Sequence, residues 1–375
     1  MKKRKERTIA RPLRVLITVL FILLILVSFL AIGFIVMANF GKSRLAENAG
    51  DVLPAVKSDE ISPELQEELD SLKTVQWQDG WVAYHDKVYE YNDDLLNFLI
   101  MGVDKKGELS SENDYGNWEA GQADAIFVVS LDTKANTMKI VAIPRNSMVN
   151  LNLYDENNEV TESIFNQICL QYAYAGGGEN SLNSMKQSVS DLLYGLPISG
   201  ECAVSFQSVP IMNDMVGGVD VEVLEDLTQF DKDFVKGNQI HLEGNKALLY
   251  IQRRDVTVLG SPTGRLERQK QYITSLMKQS VAALKQNPMI VKDIYAGVTP
   301  YMNTDITLDE TVYLSTLLPN FQFDGDSIYL LQGEDNKVDF VDENGEDDFY
   351  DDYYLNEDSV RDTVMEVFYR EVKLK

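Results

Sequence analysis

The chain has 375 residues, 45% of them hydrophobic, and a formal net charge of −25 at pH 7. This length allows a substantial hydrophobic core, which excludes a small disulfide-stapled scaffold. Residues 1–14 carry seven Lys or Arg and one Glu, so the rest of the chain carries −31. A domain this acidic lacks the positive potential that general nucleic-acid binding requires, and no nucleic-acid partner is expected.

An uncharged stretch follows the basic tail. Residues 15–38 are 24 positions rich in Leu, Ile, Val and Phe, more than the roughly 20 that a helix needs to cross a bilayer. The basic flank predicts a cytoplasmic N-terminus and an extracytoplasmic main domain. The alternative, a cleaved signal peptide, requires a shorter apolar run and a small-residue cleavage site. We therefore predict a single-pass protein of the cell membrane.

Composition divides the remainder of the chain into three parts. Residues 39–91 are predicted to be an extracytoplasmic tether, because their middle is polar and contains two prolines. Residues 92–335 are predicted to form the compact domain. Residues 336–375 are predicted to be an acidic loop and a C-terminal helix. A calcium site in the acidic loop is disfavoured, because the glycine and ligand spacing of an EF-hand is missing.

Patterned apolar segments predict strands and helices in alternation, and turn residues at 132–137 predict a hairpin. The predicted strands are Asn97–Val103, Ala125–Leu131, Met138–Ile143, Cys202–Phe206, Val219–Leu224 and Ser327–Leu331. The predicted helices are Ser163–Ala175, Ser181–Tyr194, Val209–Val216, Leu242–Gln252, Gly264–Leu284, Thr307–Leu318 and Glu357–Val372. This order indicates an α/β fold, a layered α/β/α sandwich with a central mixed β-sheet, preceded by one N-terminal transmembrane helix.

The chain contains two cysteines, Cys169 and Cys202. In an extracytoplasmic domain they can form a disulfide. Their apolar surroundings favour the alternative, two buried thiols.

The segment Ile251–Gln269 gathers four of the eight arginines found after residue 14. A guanidinium binds phosphate through a flat, permanently charged fork, so this concentration predicts a phosphate or pyrophosphate site. Arg265, Arg268 and Gln269 fall on one face near the start of a predicted helix. Free N–H groups and the helix dipole also favour an anion there.

Arg253 and Arg254 end the preceding predicted helix and point about 100° apart. At most one of them is therefore expected to face the same anion. The alternative interpretation of the segment is a charged, solvated helix face with Glu267 pairing outward.

A second group of charged residues is predicted at one edge of the sheet. A hairpin turn centred near residues 134–135 places Asp124 opposite Arg145, and an antiparallel neighbour brings Asp104 beside Asp124. Mg²⁺ prefers one or two carboxylates, several waters and phosphate oxygens, so we predict a magnesium–phosphate site. The alternative is that both aspartates are turn residues and Arg145 makes a surface ion pair.

Several short motifs resemble the LytR-CpsA-Psr family of cell-envelope proteins. They are GVD at Gly102–Asp104, QAD at Gln122–Asp124, IPR at Ile143–Arg145, AYAGGG at Ala173–Gly178, VGGVDVEV at Val216–Val223 and the stretch His241–Gln269. They keep the family's order within about residues 92–332. The resemblance implies a phosphotransferase that moves a glycopolymer with its phosphate from a polyprenyl-pyrophosphate carrier to peptidoglycan. It also implies a membrane protein of a Gram-positive-type bacterium.

The resemblance implies roles for individual residues. Asp104 and Asp124 would hold Mg²⁺ as the cofactor. The implied catalytic residues, which would act on the pyrophosphate, are Arg145, Arg254 and Arg265. The implied substrate-binding residues are Gln122, Arg253, Arg268 and Gln269.

The chain also departs from the family pattern and resembles a divergent member. Gln122 and Gln252 stand where arginine is usual, and Pro262 stands where an aspartate is a candidate general base. Asn146 replaces another aspartate. Fewer guanidiniums weaken phosphate neutralisation. These departures support an alternative function, a catalytically weakened polyprenyl-phosphate-binding scaffold or regulator of cell-envelope assembly.

Overall fold

The computed structural model describes residues 34–45, 47–48, 53–72, 76–105, 107–109, 120–155, 157, 159–253, 261–341 and 347–374. The helices are α1 (34–45), α2 (Pro63–Ser71), α3 (Leu170–Tyr174), α4 (Gly178–Leu192), α5 (Ser208–Met215), α6 (Asn245–Gln252), α7 (Ser261–Gln286), α8 (Ile290–Val298), α9 (Leu308–Leu317) and α10 (Glu357–Phe368). The strands are β1 (Trp81–Tyr84), β2 (Lys87–Tyr91), β3 (Leu95–Val103), β4 (Ala123–Asp132), β5 (Thr137–Ile143), β6 (Met148–Tyr154), β7 (Val160–Gln167), β8 (Gly200–Ser205), β9 (Val219–Glu222), β10 (Gln239–Leu242), β11 (Met302–Thr304), β12 (Ile328–Leu330), β13 (Gly333–Val341), β14 (Asp347–Leu355) and β15 (Tyr369–Glu371).

A six-stranded sheet in the order β11-β8-β3-β4-β5-β12 forms the centre of the fold. Strands β3, β4 and β5 are successive antiparallel neighbours. Strand β8 lies parallel to β3, and β12 lies parallel to β5. The expected mixed α/β fold with a central mixed sheet is therefore confirmed.

The two faces of the sheet pack against different helices, because side chains alternate along each strand. Leu99, Met101 and Val128 lie in a core that the sheet shares with α3, α4 and α10. Phe98 and Phe127 lie on the opposite face, where side chains of α7 and α9 pack. Helices thus cover both faces, as in the expected layered sandwich.

Part of the predicted tether, residues 39–91, belongs to the folded body. Strands β1 and β2 form an antiparallel pair, and β2 also pairs with β15 near the C-terminus. Val56 and Tyr84 are buried in the same core as Leu99. The sequence pattern missed β1 and β2 because short strands carry too few alternations to be recognised.

The acidic segment predicted as a loop within residues 336–375 is instead the antiparallel hairpin of β13 and β14. Four aromatic residues in β14 favour a strand. Tyr353 bridges to Ser147, which places this hairpin beside the start of β6. The last helix ends at Phe368 rather than Val372, because the residues that follow pair with β2.

The predicted helix Ser163–Ala175 is wrong in its first part. Residues 163–167 belong to β7, which pairs with β6 in a hairpin, and α3 begins only at Leu170. Over so few residues, apolar spacing fits a strand and a helix equally well. Pairing with β6 decides between them.

Most of the predicted transmembrane helix, residues 15–38, and all of the basic tail, residues 1–14, lie outside the described residues. Residues 34–38 are described and begin α1. Within the part of the chain that the structure describes, no helix combines the length and the apolar composition that crossing a bilayer requires.

Both cysteines are free thiols, with Cys169 buried and Cys202 partly buried. The structure therefore agrees with two separate thiols, one of the two alternatives that the sequence left open.

Glu201 is a buried carboxylate in β8. Its side chain is 1% exposed and lies 3.1 Å from Lys186 Nζ. Its backbone N–H donates to Asp305 Oδ1 at 2.6 Å. Burial, with a further contribution from the Asp305 carboxyl group, raises the pKa of Glu201 to about 7.

The raised pKa of Glu201 predicts a pH-dependent stability. Between its ordinary value of 4.5 and about 7, the folded state holds a proton that the unfolded chain has released. The free energy of unfolding therefore falls as pH rises through this window. We expect Glu201→Gln to flatten that decline, because the amide keeps the shape without the ionisation. Denaturant titrations at several pH values measure it, and an unchanged slope contradicts the assignment.

We expect Phe368→Ala to lower the free energy of unfolding by about 3–5 kcal/mol. Phe368 is fully buried in the core that α10 shares with the sheet, so its truncation leaves a cavity there. The matched control is Phe165→Ala, because Phe165 is 55% exposed on β7 and its truncation is expected to cost less than about 1 kcal/mol. Urea unfolding compares the two variants, and equal losses contradict the core position of α10.

Candidate active site

Two chain segments at one end of the sheet hold Asp104 and Gln122 together. Asp104 follows β3, and Gln122 precedes β4. The Gln122 backbone N–H donates to Asp104 Oδ1 at 2.6 Å, and the Asp104 N–H donates to the Gln122 carbonyl at 3.1 Å. Gly121 has φ +83°, a conformation that favours glycine. These contacts fix the Asp104 carboxylate next to the start of β4.

Arg145 follows β5 and joins this group. The β4–β5 register pairs Ile126 with Ile143, which sets Asp124 opposite Arg145. Arg145 Nη1 lies 2.5 Å from Asp124 Oδ1, and Nη2 donates to Gln122 Oε1 at 2.9 Å. The hairpin geometry predicted from the sequence is confirmed, and Gln122 orients the guanidinium against the carboxylate.

Electrostatics place Arg265 near the same carboxylate. Burial raises the pKa of Asp124, whereas Arg145 and Arg265 lower it and Asp104 raises it further. A charge exerts such an effect only from nearby. Two arginines from distant parts of the chain, one after β5 and one near the start of α7, thus influence the same carboxylate. We call Asp104, Gln122, Asp124, Arg145 and Arg265 the phosphate cluster.

The two aspartates of the phosphate cluster fit a divalent cation. Asp124 Oδ1 is buried in an ion pair with Arg145, and the Asp104 carboxylate is close enough to raise the pKa of Asp124. Carboxylate oxygens are the ligands that Mg²⁺ takes. Among the described residues, no three His, Cys, Asp or Glu side chains form a metal-binding group. A cation here would therefore need water and substrate oxygens as further ligands.

Cys169 lies beside the phosphate cluster, which the sequence did not indicate. Its thiol is buried, and burial raises its pKa to about 11, with smaller influences from Arg145, Asp124 and Asp104. Its backbone N–H donates to the Arg145 carbonyl at 3.1 Å. A thiol that stays protonated at neutral pH is a poor nucleophile. Cys169 therefore supports the Arg145 backbone. Its position four residues before the Ala173–Gly178 motif is a sequence signal that could have located it.

An apolar cavity of about 530 Å³ begins beside the phosphate cluster, between the sheet and α7. This volume is typical of small-molecule pockets. Gly102 and Ala125 line the end of the cavity that is nearest to the phosphate cluster. Gly102 lies two residues before Asp104, and Ala125 follows Asp124 directly. Gln269 of α7 lines it as well and donates to the Ile251 carbonyl at 3.2 Å. None of the described residues that line the cavity is charged.

Arg268 does not contribute to this site, so its predicted role in substrate binding is wrong. The side chain is fully buried, and its Nε lies 2.6 Å from Glu225 Oε1. Nη2 donates to the Arg253 carbonyl at 2.6 Å, and Nη1 contacts the Tyr250 carbonyl. All three nitrogens are used inside the protein, where they tie α7 to the end of α6.

Arg253 is exposed at the end of α6. Its guanidinium lies over the ring of Phe230, 6.0 Å from the centroid, and Phe230 packs against a second core formed around β9 and α6. The substrate-binding role of Arg253 stays a prediction. Arg254, one of the three arginines predicted to act on the pyrophosphate, lies outside the described residues.

The model of the LytR_cpsA_psr family matches residues 56–357. The chain belongs to the LytR-CpsA-Psr family. The matched range extends beyond residues 92–332, where the motifs lie, and it includes β1 and β2 as well as the β13–β14 hairpin.

Among curated proteins, the chain is similar to the polyisoprenyl-teichoic acid–peptidoglycan teichoic acid transferase TagU of Bacillus cereus. The two are 27% identical over 215 residues, which cover 57% of this chain and 62% of the relative. The chain thus spans less than two thirds of the length of that relative.

Solved structures show the same fold. Bacillus subtilis TagV is 24% identical with a TM-score of 0.50, over 73% of this chain and 97% of that chain. A Streptococcus agalactiae protein is 21% identical with a TM-score of 0.55, over 72% of this chain and 87% of that chain.

We expect Arg268→Met to lower the free energy of unfolding by roughly 3–5 kcal/mol, because it leaves the Glu225 carboxylate and two backbone carbonyls without their partner. The matched change Arg265→Met, on the same helix, is expected to cost less than about 1 kcal/mol, because Arg265 is only partly buried. Guanidinium chloride unfolding separates the two variants. Similar losses would show that Arg268 has no special structural role.

Proposed function

We propose that this protein is a membrane-anchored extracytoplasmic phosphotransferase. It moves a glycopolymer with its phosphate from a polyprenyl-pyrophosphate carrier to peptidoglycan. The observation that supports this function best is the Arg145 guanidinium held by Asp124 and Gln122 at the end of an apolar cavity, with Arg265 influencing the same Asp124 carboxylate. A charged cluster beside an apolar cavity suits a substrate with an anionic head and a hydrocarbon chain. The name of the TagU relative describes a transfer of this kind.

In this proposal, Arg145 and Arg265 bind the pyrophosphate. Each guanidinium presents several N–H donors to phosphate oxygens. Asp124 and Gln122 already hold Arg145, so its position does not depend on the substrate. Arg254 is proposed as a third arginine on the strength of the family resemblance.

The acceptor hydroxyl group of peptidoglycan attacks the phosphorus atom that carries the glycopolymer. A new P–O bond forms, the O–H bond of the acceptor and the pyrophosphate bridge break, the proton passes to water, and polyprenyl phosphate leaves. Phosphoryl transfer depends mainly on positioning and on neutralising the charge of the transferring group. The arginines of the phosphate cluster supply both.

Asp104 and Asp124 are proposed to hold Mg²⁺. When bound, the ion would offset the negative charge of the pyrophosphate. The Gln122 N–H holds Asp104, and the ion pair with Arg145 holds Asp124, which supports a cation site between the two carboxylates.

The prenyl chain is proposed to occupy the apolar cavity. Each CH₂ group buried there contributes about 0.8 kcal/mol to binding. The carrier therefore gains affinity from its chain, while the phosphate cluster orients its head. Residues 15–38 are proposed to anchor the protein in the cell membrane, with the N-terminus cytoplasmic and the domain outside.

A second function, a scaffold that binds polyprenyl phosphate without turnover, is supported by Gln122. This residue replaces a guanidinium of the family pattern, and its side-chain oxygen accepts a hydrogen bond from Arg145. It therefore adds no positive charge to the phosphate cluster. The loss of one positive charge is expected to weaken lipid binding less than phosphoryl transfer, because charge shifts onto the leaving phosphate only during transfer.

We expect Arg265→Met to lower kcat/KM for the release of polyprenyl phosphate by about 100-fold or more, because it removes a charged donor from the transferring group. The full chain is assayed in liposomes with a polyprenyl-pyrophosphate-linked oligosaccharide, peptidoglycan and Mg²⁺. The control Lys278→Met removes one positive charge from an exposed position farther along α7 and is expected to stay within about twofold.

The same assay distinguishes the alternatives. A wild-type protein that binds the lipid-linked oligosaccharide without releasing polyprenyl phosphate supports the scaffold function. A protein that neither binds nor turns it over contradicts both functions. Turnover that is unchanged after chelation of Mg²⁺ contradicts the Asp104–Asp124 cation site.

A further inference from the structure

Two hairpins, β6–β7 and β13–β14, lie on the face of the sheet that is opposite the apolar cavity. Val149 of β6 and Leu355 of β14 pack against the core that the sheet shares with α3, α4 and α10. The cavity lies on the other face, between the sheet and α7. The phosphate cluster stands where the strands of the sheet end, so the cavity reaches it from one face and the two hairpins from the other.

Hydrogen bonds fix the β13–β14 hairpin next to the phosphate cluster. Asn146, which follows Arg145 directly, donates from Nδ2 to the Asp351 carbonyl at 2.9 Å. Gln167, at the end of β7, donates from Nε2 to Asp352 Oδ1 at 3.0 Å. Both hairpins are therefore joined to each other and to the backbone beside the arginine that is proposed to bind the pyrophosphate.

Two aromatic rings, one from each hairpin, form an exposed surface. Phe165 of β7 is 55% exposed and Tyr354 of β14 is 45% exposed. Their ring centroids lie 6.4 Å apart with the planes 40° from each other. We call these two residues the aromatic pair. Large apolar side chains that meet on a surface mark a binding site.

The surroundings of the aromatic pair suit a sugar chain. Asn150 lies opposite Phe165 in the β6–β7 register, and Glu334 lies opposite Tyr354 in the β13–β14 register; both are exposed. The negative face of an aromatic ring attracts the C–H groups on one side of a sugar ring. An amide and a carboxylate beside it can bond to the hydroxyl groups at the rim of the sugar.

Charge indicates which sugar chain fits. Residues 148–167 and 333–355 contain fourteen Asp or Glu and one Lys. Carboxylates in this number repel a polymer that carries phosphate groups. The N-acetylated sugars of a peptidoglycan glycan strand carry no such charge. The acceptor therefore suits this surface better than a phosphate-rich glycopolymer does.

The direction of the proposed reaction leads to the same conclusion. In phosphoryl transfer the attacking and leaving oxygens lie roughly in line on opposite sides of the phosphorus atom. The leaving polyprenyl phosphate lies toward the cavity, so the acceptor hydroxyl group arrives from the other side, where the hairpins are. The Cα atoms of Arg145 and Asn150 are at most about 18 Å apart, the extended reach of five residues. A few sugar units span that distance.

We propose that the aromatic pair is a subsite for the acceptor, an uncharged stretch of the peptidoglycan glycan strand. The proposal rests on the proposed function and adds the residues that position its second substrate. Phe165 and Tyr354 stack on sugar rings a few units away from the attacking hydroxyl group. The strand then passes Asn146 and presents that hydroxyl group to the phosphate cluster from the side away from the cavity.

The kinetic test is Phe165→Ala in the full chain in liposomes, with a soluble peptidoglycan fragment as the varied acceptor. We expect KM for the acceptor to rise about tenfold, because one stacking contact is lost. The kcat and the KM for the lipid-linked donor are expected to stay within about twofold, because the ring touches neither the phosphorus atom nor the prenyl chain.

Two further variants serve as controls in the same assay. Phe165→Tyr keeps an aromatic ring and is expected to keep KM for the acceptor within about twofold. Trp77→Ala removes an aromatic side chain that is 43% exposed and precedes β1, and it is expected to change no kinetic constant. A rise in KM for the donor instead of the acceptor overturns the proposal.

A second measurement needs no turnover. Isothermal titration calorimetry measures binding of the tetramer of N-acetylglucosamine to the full chain in detergent micelles. We expect Phe165→Ala and Tyr354→Ala each to raise Kd about tenfold and Trp77→Ala to leave it unchanged. An anionic oligomer of glycerol phosphate is expected to bind the wild type at least about tenfold more weakly than the tetramer does.

A tetramer that does not bind the wild type, or that binds Phe165→Ala equally well, overturns the subsite. Self-association of the wild type that Phe165→Ala abolishes, with no effect on tetramer binding, also overturns it and makes the aromatic pair a contact between copies. Binding of the tetramer through the aromatic pair without any release of polyprenyl phosphate supports the subsite, while the proposed phosphotransferase function fails.

Discussion

The ion pair between Arg145 and Asp124 is the contact on which the phosphate cluster depends. It joins the end of β5 to the start of β4 at 2.5 Å, and the side chain of Gln122 holds the second guanidinium nitrogen. The chain has a net charge of −25, so many carboxylates could form an ion pair with an arginine at the edge of the sheet. The hairpin register selects Asp124 as the partner, because it sets Asp124 and Arg145 opposite each other.

Two arginines of α7 differ in burial and in their partners. Arg265 lowers the pKa of Asp124, whereas Arg268 is buried against Glu225 and two backbone carbonyls. A buried guanidinium is tolerated only where its charge and its N–H groups are satisfied. The second core, around β9 and α6, provides those partners and thereby fixes α7 in the orientation that presents Arg265 to the phosphate cluster.

The central sheet serves stability on one face and the site on the other. Leu99 and Met101 pack into the core with α4 and α10, whereas Phe98 and Ile100 line the cavity under α7 and α9. Strand alternation alone produces this division. The same strands end before Asp104 and begin before Asp124, so one framework places the apolar cavity beside the phosphate cluster.

By itself the sequence determined the β3–β4–β5 meander, the long helix α7 and the pairing of Asp124 with Arg145, because these depend on local periodicity and a short turn. Only the tertiary structure decided that residues 163–167 form a strand, that β1 and β2 join β15, and that Arg268 is buried. Each of these outcomes depends on a partner distant in the chain, and local spacing carries no information about such a partner. The sequence therefore indicated which residues carry charge, whereas long-range packing determined which of those charges face the site.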